Sequence, residues 1–426
     1  MKKPIGSMRP KTGLVAALDV GSTKVSCLIA RLATGVAGDQ VTARVVGIGH
    51  QKSHGVKSGS VIDLDAAEAT IRATVEAAEA MVGENIHKVY VNLSCGRPAS
   101  QLIATQTQIG GQEIDDVHLH RVLSPDLLEA NKPADHELIH SIPVGYSVDD
   151  NRGVRDPRGM FGERLGVNVH MVTAQASPVK NLRSAVDRCH LEIDTLVSTP
   201  LASALACLVD DERELGTTCI DIGGGVTSLA IFCDGQPVHT DVIPLGGGHM
   251  TSDIARGLST PLDSAERMKT LFGNVIPTPS DDAEMIPVPL IGEDRENAST
   301  QVPRSVLVGI VRPRAEEIIE LVRDRLVKSG FDRAIGQRVV LTGGASQLSG
   351  LAQLAGDILG RQVRLAKPRG VAGLSDVVAG PGFATSAGLI RYAVENPLEI
   401  AGAGFQPVKE RSGALGRFGQ WLRENF

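Results

Sequence analysis

Aromatic residues are scarce in this sequence, at 3% of its 426 residues, so Val, Ile, Leu and Ala have to form most of the core. No apolar run approaches the roughly 20 residues that a membrane-spanning helix requires, and we therefore expect any membrane contact to be peripheral. The six cysteines are scattered without a CxxC pair, which predicts buried, reduced thiols in a cytosolic protein. The net charge of −6 gives no indication of bulk nucleic-acid binding.

Two familiar nucleotide-binding motifs are also missing. The chain contains neither G-x-x-x-x-G-K-[ST] nor G-x-G-x-x-G, so neither a P-loop nor a dinucleotide fingerprint is predicted. Glycine, by contrast, is abundant, with 47 residues, and much of it lies in short clusters between apolar runs. These clusters predict tight loops at strand ends, and the chain length suits two or three domains or two lobes.

The first glycine cluster follows an apolar segment, residues 14–20, that predicts a buried strand. Asp19 lies near the end of this segment, where burying a carboxylate is costly unless a cation or hydrogen-bond donors meet it. A second strand over residues 24–32 completes a hairpin. The backbone N–H groups, hydroxyls and lysine of its turn could approach a polyanion closely. The turn residues are Gly21, Ser22, Thr23 and Lys24.

The same pattern returns one half-chain later, with Asp221 in the position of Asp19. Two such hairpins facing each other could clamp a triphosphate from both sides. Their two aspartates could hold Mg²⁺ through water molecules, because this ion prefers oxygen ligands. The binding residues assigned to the second hairpin are Asp221, Gly223, Gly224, Gly225 and Thr227.

A third element is a buried strand over residues 338–341 that ends in Gly343, Gly344 and Ala345. Paired glycines allow a flat ring to lie against bare backbone. In this order, the three elements resemble the two phosphate motifs and the adenosine motif of the actin, Hsp70 and sugar-kinase superfamily. Residues 380–388 resemble its second connecting helix. The resemblance implies an α/β, actin-like two-lobed ATPase fold of duplicated ribonuclease-H-like domains, with ATP in the cleft.

Within that superfamily, nearly the whole chain resembles the FtsA family of bacterial cell-division proteins. The segments that carry this resemblance are residues 90–94, 136–143, 156–160, 169–173 and 245–255. The resemblance implies a family-specific inserted subdomain that helps protomers form filaments. It also adds four residues to the ATP-binding set: Gly246, Gly247, Glu266 and Lys269.

The family resemblance further implies the partners and the location of the protein. FtsA binds the C-terminal tail of the tubulin-like polymer FtsZ and ties that ring to the cytoplasmic face of the inner membrane at the septum, where later division proteins join. We expect the tail to bind within residues 260–336, with Arg304 and Arg314 as its basic contacts. The protein is expected to act mainly as a scaffold with slow ATP hydrolysis at most, because no catalytic base can be named.

The domain organisation follows from these motifs. Residues 253–272 and 314–328 are predicted to be helical, and residues 151–162 are predicted to form a loop. The predicted units are a flexible N-terminus (1–13), a first lobe core (14–85, 173–199 and 385–396), the inserted subdomain (86–172), a second lobe core (200–259 and 337–384), its outer subdomain (260–336), a linker (397–412) and a C-terminal helix (413–426).

The C-terminal segment has the pattern of an amphipathic helix. At about 100° per residue its apolar residues fall on one arc, with arginines, Gln420 and Glu424 opposite. Aromatic residues beside arginines suit an interfacial helix on anionic lipid. The predicted membrane-contacting residues are Leu415, Phe418, Trp421, Leu422 and Phe426.

Three other interpretations stay open from the sequence. The chain could be a kinase or phosphatase of the same superfamily, although the FtsA-like segments and the terminal helix argue against such an enzyme. It could be an adaptor of the PilM type, which takes part in pilus assembly and shares the fold but typically lacks this terminal helix. The terminal segment could also dock on the body or on a partner instead of on lipid.

Overall fold

The computed structural model describes residues 13–34, 41–123, 128, 130–292, 299–332, 336–395 and 399. The strands are β1 (Gly13–Val20), β2 (Lys24–Thr34), β3 (Val41–Lys52), β4 (Val56–Lys57), β5 (Ser60–Val61), β6 (Lys88–Leu93), β7 (Ala99–Gln108), β8 (His136–Val148), β9 (Asn151–Val154), β10 (Arg164–Gln175), β11 (Glu192–Ser198), β12 (Thr217–Ile222), β13 (Thr227–Cys233), β14 (Gln236–Ile243), β15 (Met285–Pro289), β16 (Ser299–Pro303), β17 (Arg338–Thr342) and β18 (Gln362–Leu365).

The helices connect these strands. They are α1 (Leu64–Val82), α2 (Asp116–Val122), α3 (Ala176–Asp187), α4 (Thr199–Cys207), α5 (Asp210–Leu215), α6 (Gly247–Gly257), α7 (Leu262–Phe272), α8 (Arg304–Ser329), α9 (Leu351–Leu359) and α10 (Ala384–Glu395). None of the helices in the described ranges is long and apolar enough to cross a bilayer. Apart from Gly13 and Glu399, the predicted N-terminus, linker and C-terminal helix, with Leu415, Phe418, Trp421, Leu422 and Phe426, lie outside the described residues.

The first lobe is built on a five-stranded sheet of order β11-β6-β1-β2-β3. Strands β1, β2 and β3 are antiparallel neighbours, whereas β6 and β11 run parallel to β1. Both faces of β1 are covered, because Ala17 belongs to one apolar cluster and Leu18 to another. Strands buried on both faces have near-continuous apolar sequences, which explains the run before Asp19.

The second lobe repeats this arrangement in the order β14-β13-β12-β17-β18. Strands β12, β13 and β14 are antiparallel neighbours, and β17 and β18 run parallel to β12. One apolar cluster spans both lobes through α4 and α10. These helices approach closely at Gly388, where an added Cβ would lie 1.8 Å from the Ala202 carbonyl oxygen. The two sheets therefore meet across a pair of small-residue helices.

An inserted subdomain follows β6. Its four-stranded antiparallel sheet has the order β7-β10-β8-β9, and α2 packs over the sheet on an apolar cluster that includes Leu119 and Leu165. The prediction of a loop over residues 151–162 was wrong at its start, because β9 pairs there with β8. Period-2 apolar alternation is too short in this four-residue strand to be recognised.

The outer part of the second lobe contains α6, α7, the β15–β16 hairpin and α8. The single helix predicted over residues 253–272 is wrong, because Ser259 adopts a φ of 48° and Pro261 follows before α7 begins. Helix α8 begins before its predicted start at residue 314 and runs through Pro313. Buried side chains on both sides of Pro313, such as Val311 and Ile318, stabilise one continuous helix despite the missing N–H donor.

Candidate functional site

A cavity of about 300 Å³ lies between the two lobes, a size at the lower end of ligand pockets. Both aspartate hairpins line it, together with the loop after β17. Eleven residues from the predicted ATP-binding set are among the lining residues: Asp19, Gly21, Ser22, Thr23, Lys24, Asp221, Gly223, Gly224, Gly225, Gly343 and Gly344. Residues that are distant in sequence therefore meet at one cleft, and their role as nucleotide ligands stays a prediction.

The tips of the two hairpins lie directly against each other. A Cβ added at Gly224 would be 2.3 Å from Thr23 Cγ2, and one added at Gly225 would be 2.3 Å from Ser22 Oγ. The Ser22 hydroxyl accepts a hydrogen bond of 2.9 Å from the Gly59 N–H group. The second turn consists of glycines because the side chains of the first turn fill the space that its own side chains would need.

Asp19 is 8% exposed and ends the buried strand β1. The Ser386 hydroxyl donates a hydrogen bond of 3.3 Å to its Oδ2. Burial raises the pKa of Asp19 to about 6, and Asp221 adds to this shift, while Lys24 and Ser386 oppose it. A carboxylate held in this way favours a neighbouring cation.

Asp221 is held by two hydroxyls on the connecting helices. Its Oδ2 accepts hydrogen bonds of 2.5 Å from Ser203 on α4 and 3.2 Å from Thr385 on α10. Burial raises the pKa of Asp221, whereas the two hydroxyls and Lys24 lower it. Both aspartates are therefore connected to α10 through the adjacent residues Thr385 and Ser386.

Lys24 is the cation nearest to both aspartates among the residues that line the cavity. Its Nζ donates to the Gly382 carbonyl oxygen and lies 3.3 Å from the centroid of the Phe383 ring. Burial lowers the pKa of Lys24, and Asp19 and Asp221 act in the opposite direction. Its side chain thus links the first hairpin to the segment that leads into α10.

Three further predicted ATP contacts, Gly246, Gly247 and Ala345, lie beside the lining residues Gly223 and Gly343 and form a wall next to the cavity. Gly343 has a φ of 88°, and a Cβ there would lie 2.2 Å from Asp221 Oδ1, so this position requires glycine. Gly247 donates its N–H to the Gly223 carbonyl oxygen at 2.9 Å, and its added Cβ would be 2.7 Å from the Ala345 Cβ. The Gly246 N–H group donates to His249 Nδ1 at 3.1 Å, within the turn before α6.

Three other predicted contacts are engaged within the protein. Lys269 Nζ lies 2.7 Å from Glu266 Oε2 and donates to the Gly247 carbonyl oxygen at 3.0 Å. The Thr227 hydroxyl donates to the Leu245 carbonyl oxygen at 2.8 Å. Glu266 and Lys269 therefore border the glycine wall, whereas the Thr227 hydroxyl stabilises the turn after β14.

The donor set around the cavity fits a magnesium–nucleotide group. Two buried carboxylates with raised pKa values lie beside one lysine, and the lining residues include Ser228, whose buried hydroxyl has no hydrogen-bond partner in the described chain. Buried polar groups are rarely left without a partner. Carboxylate, hydroxyl and exposed backbone N–H groups are the groups that bind Mg²⁺ and phosphate.

Several site residues carried no sequence assignment. Asn92 and Ser94 from the first lobe line the cavity, as do Thr199 and Thr385, and Ser203 supports Asp221 from behind. The Asn92 Oδ1 atom accepts the Val20 N–H group at 2.7 Å and so fixes the end of β1. Residues 90–94 and 380–388 were singled out as family-like segments, and polar residues within such apolar runs were the available signal.

The two arginines predicted to bind a partner lie in the outer part of the second lobe, away from the cavity. Arg304 Nη1 lies 2.8 Å from Glu284 Oε2 and 3.5 Å from Asp281 Oδ1. Arg314 Nε donates to Asp253 Oδ2 at 2.7 Å, and Arg314 also bonds to Glu317. Both guanidinium groups already have carboxylate partners, so an acidic peptide would have to compete for them.

Comparisons with known proteins agree with this geometry. A family model described as "Cell division protein FtsA" matches residues 218–388, and one described as "SHS2 domain inserted in FTSA" matches residues 96–173. The chain is 46% identical to the cell division protein FtsA of Agrobacterium fabrum, over 100% of this chain and 97% of that relative. It is 34% identical to the Pseudomonas aeruginosa protein of that name, over 97% of this chain and 98% of the relative.

Solved structures show the same architecture. The PilM–PilN type IV pilus biogenesis complex gives a TM-score of 0.62 at 20% identity, covering 92% of this chain and 99% of that chain. MreB5 of Spiroplasma citri bound to ADP gives 0.52 at 14% identity, covering 91% and 100%. The MamK double helical filament gives 0.50 at 13% identity, covering 89% and 98%. The predicted α/β fold of two actin-like lobes with an inserted subdomain is thereby confirmed.

Proposed function

Because the chain belongs to the FtsA family of bacterial cell-division proteins, as its motifs predicted, we propose that it binds ATP with Mg²⁺, assembles into filaments and ties the FtsZ ring to the inner membrane. Recruitment of later division proteins belongs to the same proposal. The observation that carries it is the meeting of Asp19 and Asp221, from two duplicated hairpins, at one cavity.

The residues of the cavity suggest how the nucleotide would be held. The glycine and hydroxyl turns offer N–H and O–H donors to the phosphates, and Lys24 offers a positive charge. Asp19 and Asp221 would hold Mg²⁺ through water, and the ion would offset charge on the phosphates. The wall of Gly247, Gly343 and Ala345 would receive the adenosine.

The experiment that tests nucleotide binding is titration of the purified chain with MgATP. Asp221→Asn should weaken the affinity at least about 10-fold, since one charge-assisted contact contributes on the order of 1.5–3 kcal/mol. Asp263→Asn is the matched control, because Asp263 pairs with Lys52 on the exposed surface. Absence of MgATP binding to the wild type, or equal affinity of both variants, would overturn this part of the proposal.

Slow hydrolysis is the expected fate of the bound ATP. The only carboxylates among the lining residues are Asp19 and Asp221, and no histidine is among them. Both carboxylates are assigned to the metal, so no general base stands ready to activate water. Phosphate release faster than about one per second, near the low end of common turnover numbers, would favour the enzyme interpretation instead.

Self-assembly is supported by the fold and by the inserted subdomain. A solved structure of this fold is a double helical filament of MamK. In this chain, Phe161 on the inserted subdomain is 68% exposed, and aromatic residues are enriched at protein interfaces. Sedimentation with ATP and lipid should show polymer for the wild type and less for Phe161→Ala. Leu215→Ala, at a position 79% exposed on the second lobe, is the control.

The FtsZ tail is proposed to bind the outer part of the second lobe. Besides Arg304 and Arg314, a groove of about 420 Å³ lies there, lined by Arg256, Leu262 and Ile291. Arg256 has no carboxylate partner in the described chain, whereas Leu262 and Ile291 are 60% and 64% exposed. An acidic peptide with apolar side chains fits this combination.

A pull-down with an FtsZ tail peptide tests this assignment. Arg256→Glu should weaken capture more than Arg304→Glu if the groove is the site, and the reverse order would assign the peptide to Arg304. A pilus-protein peptide serves as the negative control for the PilM-type alternative. Equal capture of both peptides would contradict the assignment to FtsZ.

Membrane attachment is proposed for residues 413–426. Trp421→Ala combined with Phe418→Ala should release the protein from vesicles that contain anionic lipid, because large aromatic side chains contribute strongly to interfacial binding. Gly419→Ala, in the same segment, should leave binding intact. Filament formation would strengthen a weak anchor through avidity, so release should be clearest under conditions that keep the protein monomeric.

A further inference from the structure

A largely buried carboxylate beyond α10 lies at the junction of three parts of the molecule. The side chain of Glu399 is 11% exposed. Its Oε1 atom lies 2.8 Å from His140 Nδ1 and accepts a hydrogen bond from the Tyr392 hydroxyl. Its Oε2 atom accepts the Ser141 N–H group at 3.4 Å. Three donors therefore converge on one carboxylate.

The proton position on His140 follows from its other neighbour. The Ser198 N–H group donates to His140 Nε2 at 2.8 Å, so this nitrogen must carry the lone pair. The proton of the neutral ring is then on Nδ1, where it is donated to Glu399. The His140 side chain is 0% exposed. Its ring orientation is thus fixed at both nitrogens, and it presents a donor to the carboxylate.

The electrostatics favour the ionised form of Glu399. Burial acts to raise its pKa, but His140, together with hydrogen bonds from His140, Tyr392 and Ser141, outweighs burial and lowers the pKa. A buried charge without such donors would be strongly destabilising. These three donors therefore favour an anion at this position, and a neutral side chain would accept weaker hydrogen bonds from them.

The donors come from separate elements. His140 and Ser141 lie on β8 of the inserted subdomain, Ser198 ends β11 of the first lobe, and Tyr392 lies on α10. We propose that Glu399 is a latch that fastens α10 of the first lobe to the inserted subdomain through its contacts with His140, Ser141 and Tyr392. The latch couples the position of the inserted subdomain to Glu399, the described residue nearest in sequence to the predicted C-terminal helix.

A consequence of this coupling rests on the proposed function. If residues 413–426 bind the membrane, Glu399 joins the inserted subdomain to the part of the sequence that leads to the anchor. The inserted subdomain, which is proposed to contact the next protomer, is then linked to the membrane side of the molecule. A change at the filament contact would alter the reach of the anchor.

Amide hydrogen exchange of the full chain tests the latch without nucleotide, lipid or partner. Peptides covering residues 138–142 and 396–402 should exchange at least about 10-fold faster in Glu399→Gln than in the wild type, because opening exposes both sides of the junction. Glu410→Gln changes the same charge in the predicted linker and should leave both peptides unchanged. Because this assay is independent of ATP and membrane binding, its failure and the failure of the proposed function are distinguishable.

A double-mutant comparison separates a latch from general loss of packing. His140→Gln, Glu399→Gln and the double variant should exchange at similar rates in both peptides, because either change alone already removes the same contact. Tyr392→Phe keeps the ring and should give an intermediate rate. Unchanged exchange in Glu399→Gln, or additive effects in the double variant, would overturn the proposal.

Discussion

The two aspartate hairpins have the same strand pairing but different side chains in their turns. Asp19 pairs with Ser26 across β1 and β2, and Asp221 pairs with Ser228 across β12 and β13. Each aspartate is the penultimate residue of the central strand of a five-stranded sheet, and the two sheets have equivalent strand orders. The duplication therefore extends to the strand order and pairing of the two five-stranded sheets.

The turns between the paired strands differ. The first turn carries hydroxyl and charged side chains, whereas the second offers mainly bare backbone. The corresponding residues are Ser22, Thr23 and Lys24 in the first turn and Gly224, Gly225 and Val226 in the second. Because the tips touch, only one of them can bear side chains there. Contact between the two copies thus explains why their sequences have diverged.

The paired serines differ in the same way. The Ser26 hydroxyl lies 2.8 Å from the Ser386 hydroxyl, whereas the Ser228 hydroxyl has no partner within the described ranges. In the second lobe, Ser203 takes the place beside the aspartate that Ser386 holds in the first. The serine hydroxyl of the first lobe therefore has a partner within the protein, whereas the buried serine hydroxyl of the second lobe has none within the described ranges.

Gly224→Ala should have the largest effect, because it changes the contact between the two hairpin turns. The new Cβ would lie within 3.0 Å of three atoms of Thr23, so the hairpins must separate. We expect about 1–3 kcal/mol less free energy of unfolding and about 10- to 100-fold weaker MgATP binding. Urea unfolding and nucleotide titration measure the two effects.

A second-site change shows whether the clash with Thr23 causes this loss. Thr23→Ala should partly restore the stability of Gly224→Ala, since two of the three close atoms disappear. Gly145→Ala is the control, because an added Cβ there meets no atom within 4 Å. If Thr23→Ala gives no rescue, the hairpins do not press against each other in solution.

Asp19→Asn should have an effect of similar size on the stability of the nucleotide-free protein. The pKa of Asp19 is raised from 3.8 to about 6, so between these values the folded state binds more protons than the unfolded state. The free energy of unfolding contributed by Asp19 therefore falls as the pH rises through this window. At about 1.4 kcal/mol per pKa unit, the free energy of unfolding of the wild type falls by on the order of 3 kcal/mol across this window.

Urea unfolding at several pH values checks this prediction. Asp19→Asn should exceed the wild type in stability at pH 7, and the difference should shrink toward zero near pH 4. The same variant should bind MgATP more weakly, in contrast to its higher stability. A difference that is independent of pH would show that Asp19 does not carry a raised pKa.

Replacement of the paired serines should give the smallest change in the free energy of unfolding. Ser26→Ala should lower the free energy of unfolding by about 1 kcal/mol, because it removes a hydrogen bond and leaves Ser386 with fewer partners. Ser228→Ala should be neutral or stabilising by up to about 1 kcal/mol, because it removes an unsatisfied buried hydroxyl. Thermal unfolding of both variants without nucleotide measures the difference, and equal losses would contradict the asymmetry.

Much of the site could be predicted because its motifs are local. Asp19 and Asp221 each stand out as a charge at the end of an apolar run, and glycine turns follow them directly. The hydroxyls of Ser203, Thr385 and Ser386 could not be assigned, because they reach the aspartates from helices far along the chain. Pairing of this kind depends on packing and leaves no periodic signal.

Prediction from the sequence was limited in the same way for the outer part of the second lobe. The family resemblance suggested Arg304 and Arg314 as contacts for an acidic peptide. The fold surrounds both with carboxylates, while Arg256 has none in the part of the chain that the structure describes. Charge composition does not reveal which arginine keeps an open face, because ion pairs form between elements that are distant in sequence.

The sequence by itself determined the repeated hairpins, because apolar runs and glycine turns act within a few residues, and its resemblance to known families indicated the two-lobed fold and the family. Only the tertiary structure decided that the hairpin tips touch and that α10 supplies hydroxyls to both aspartates. It also decided that Glu399 reaches a donor pocket on the inserted subdomain. These features depend on distances between segments that are separated by hundreds of residues, and local preferences do not encode such distances.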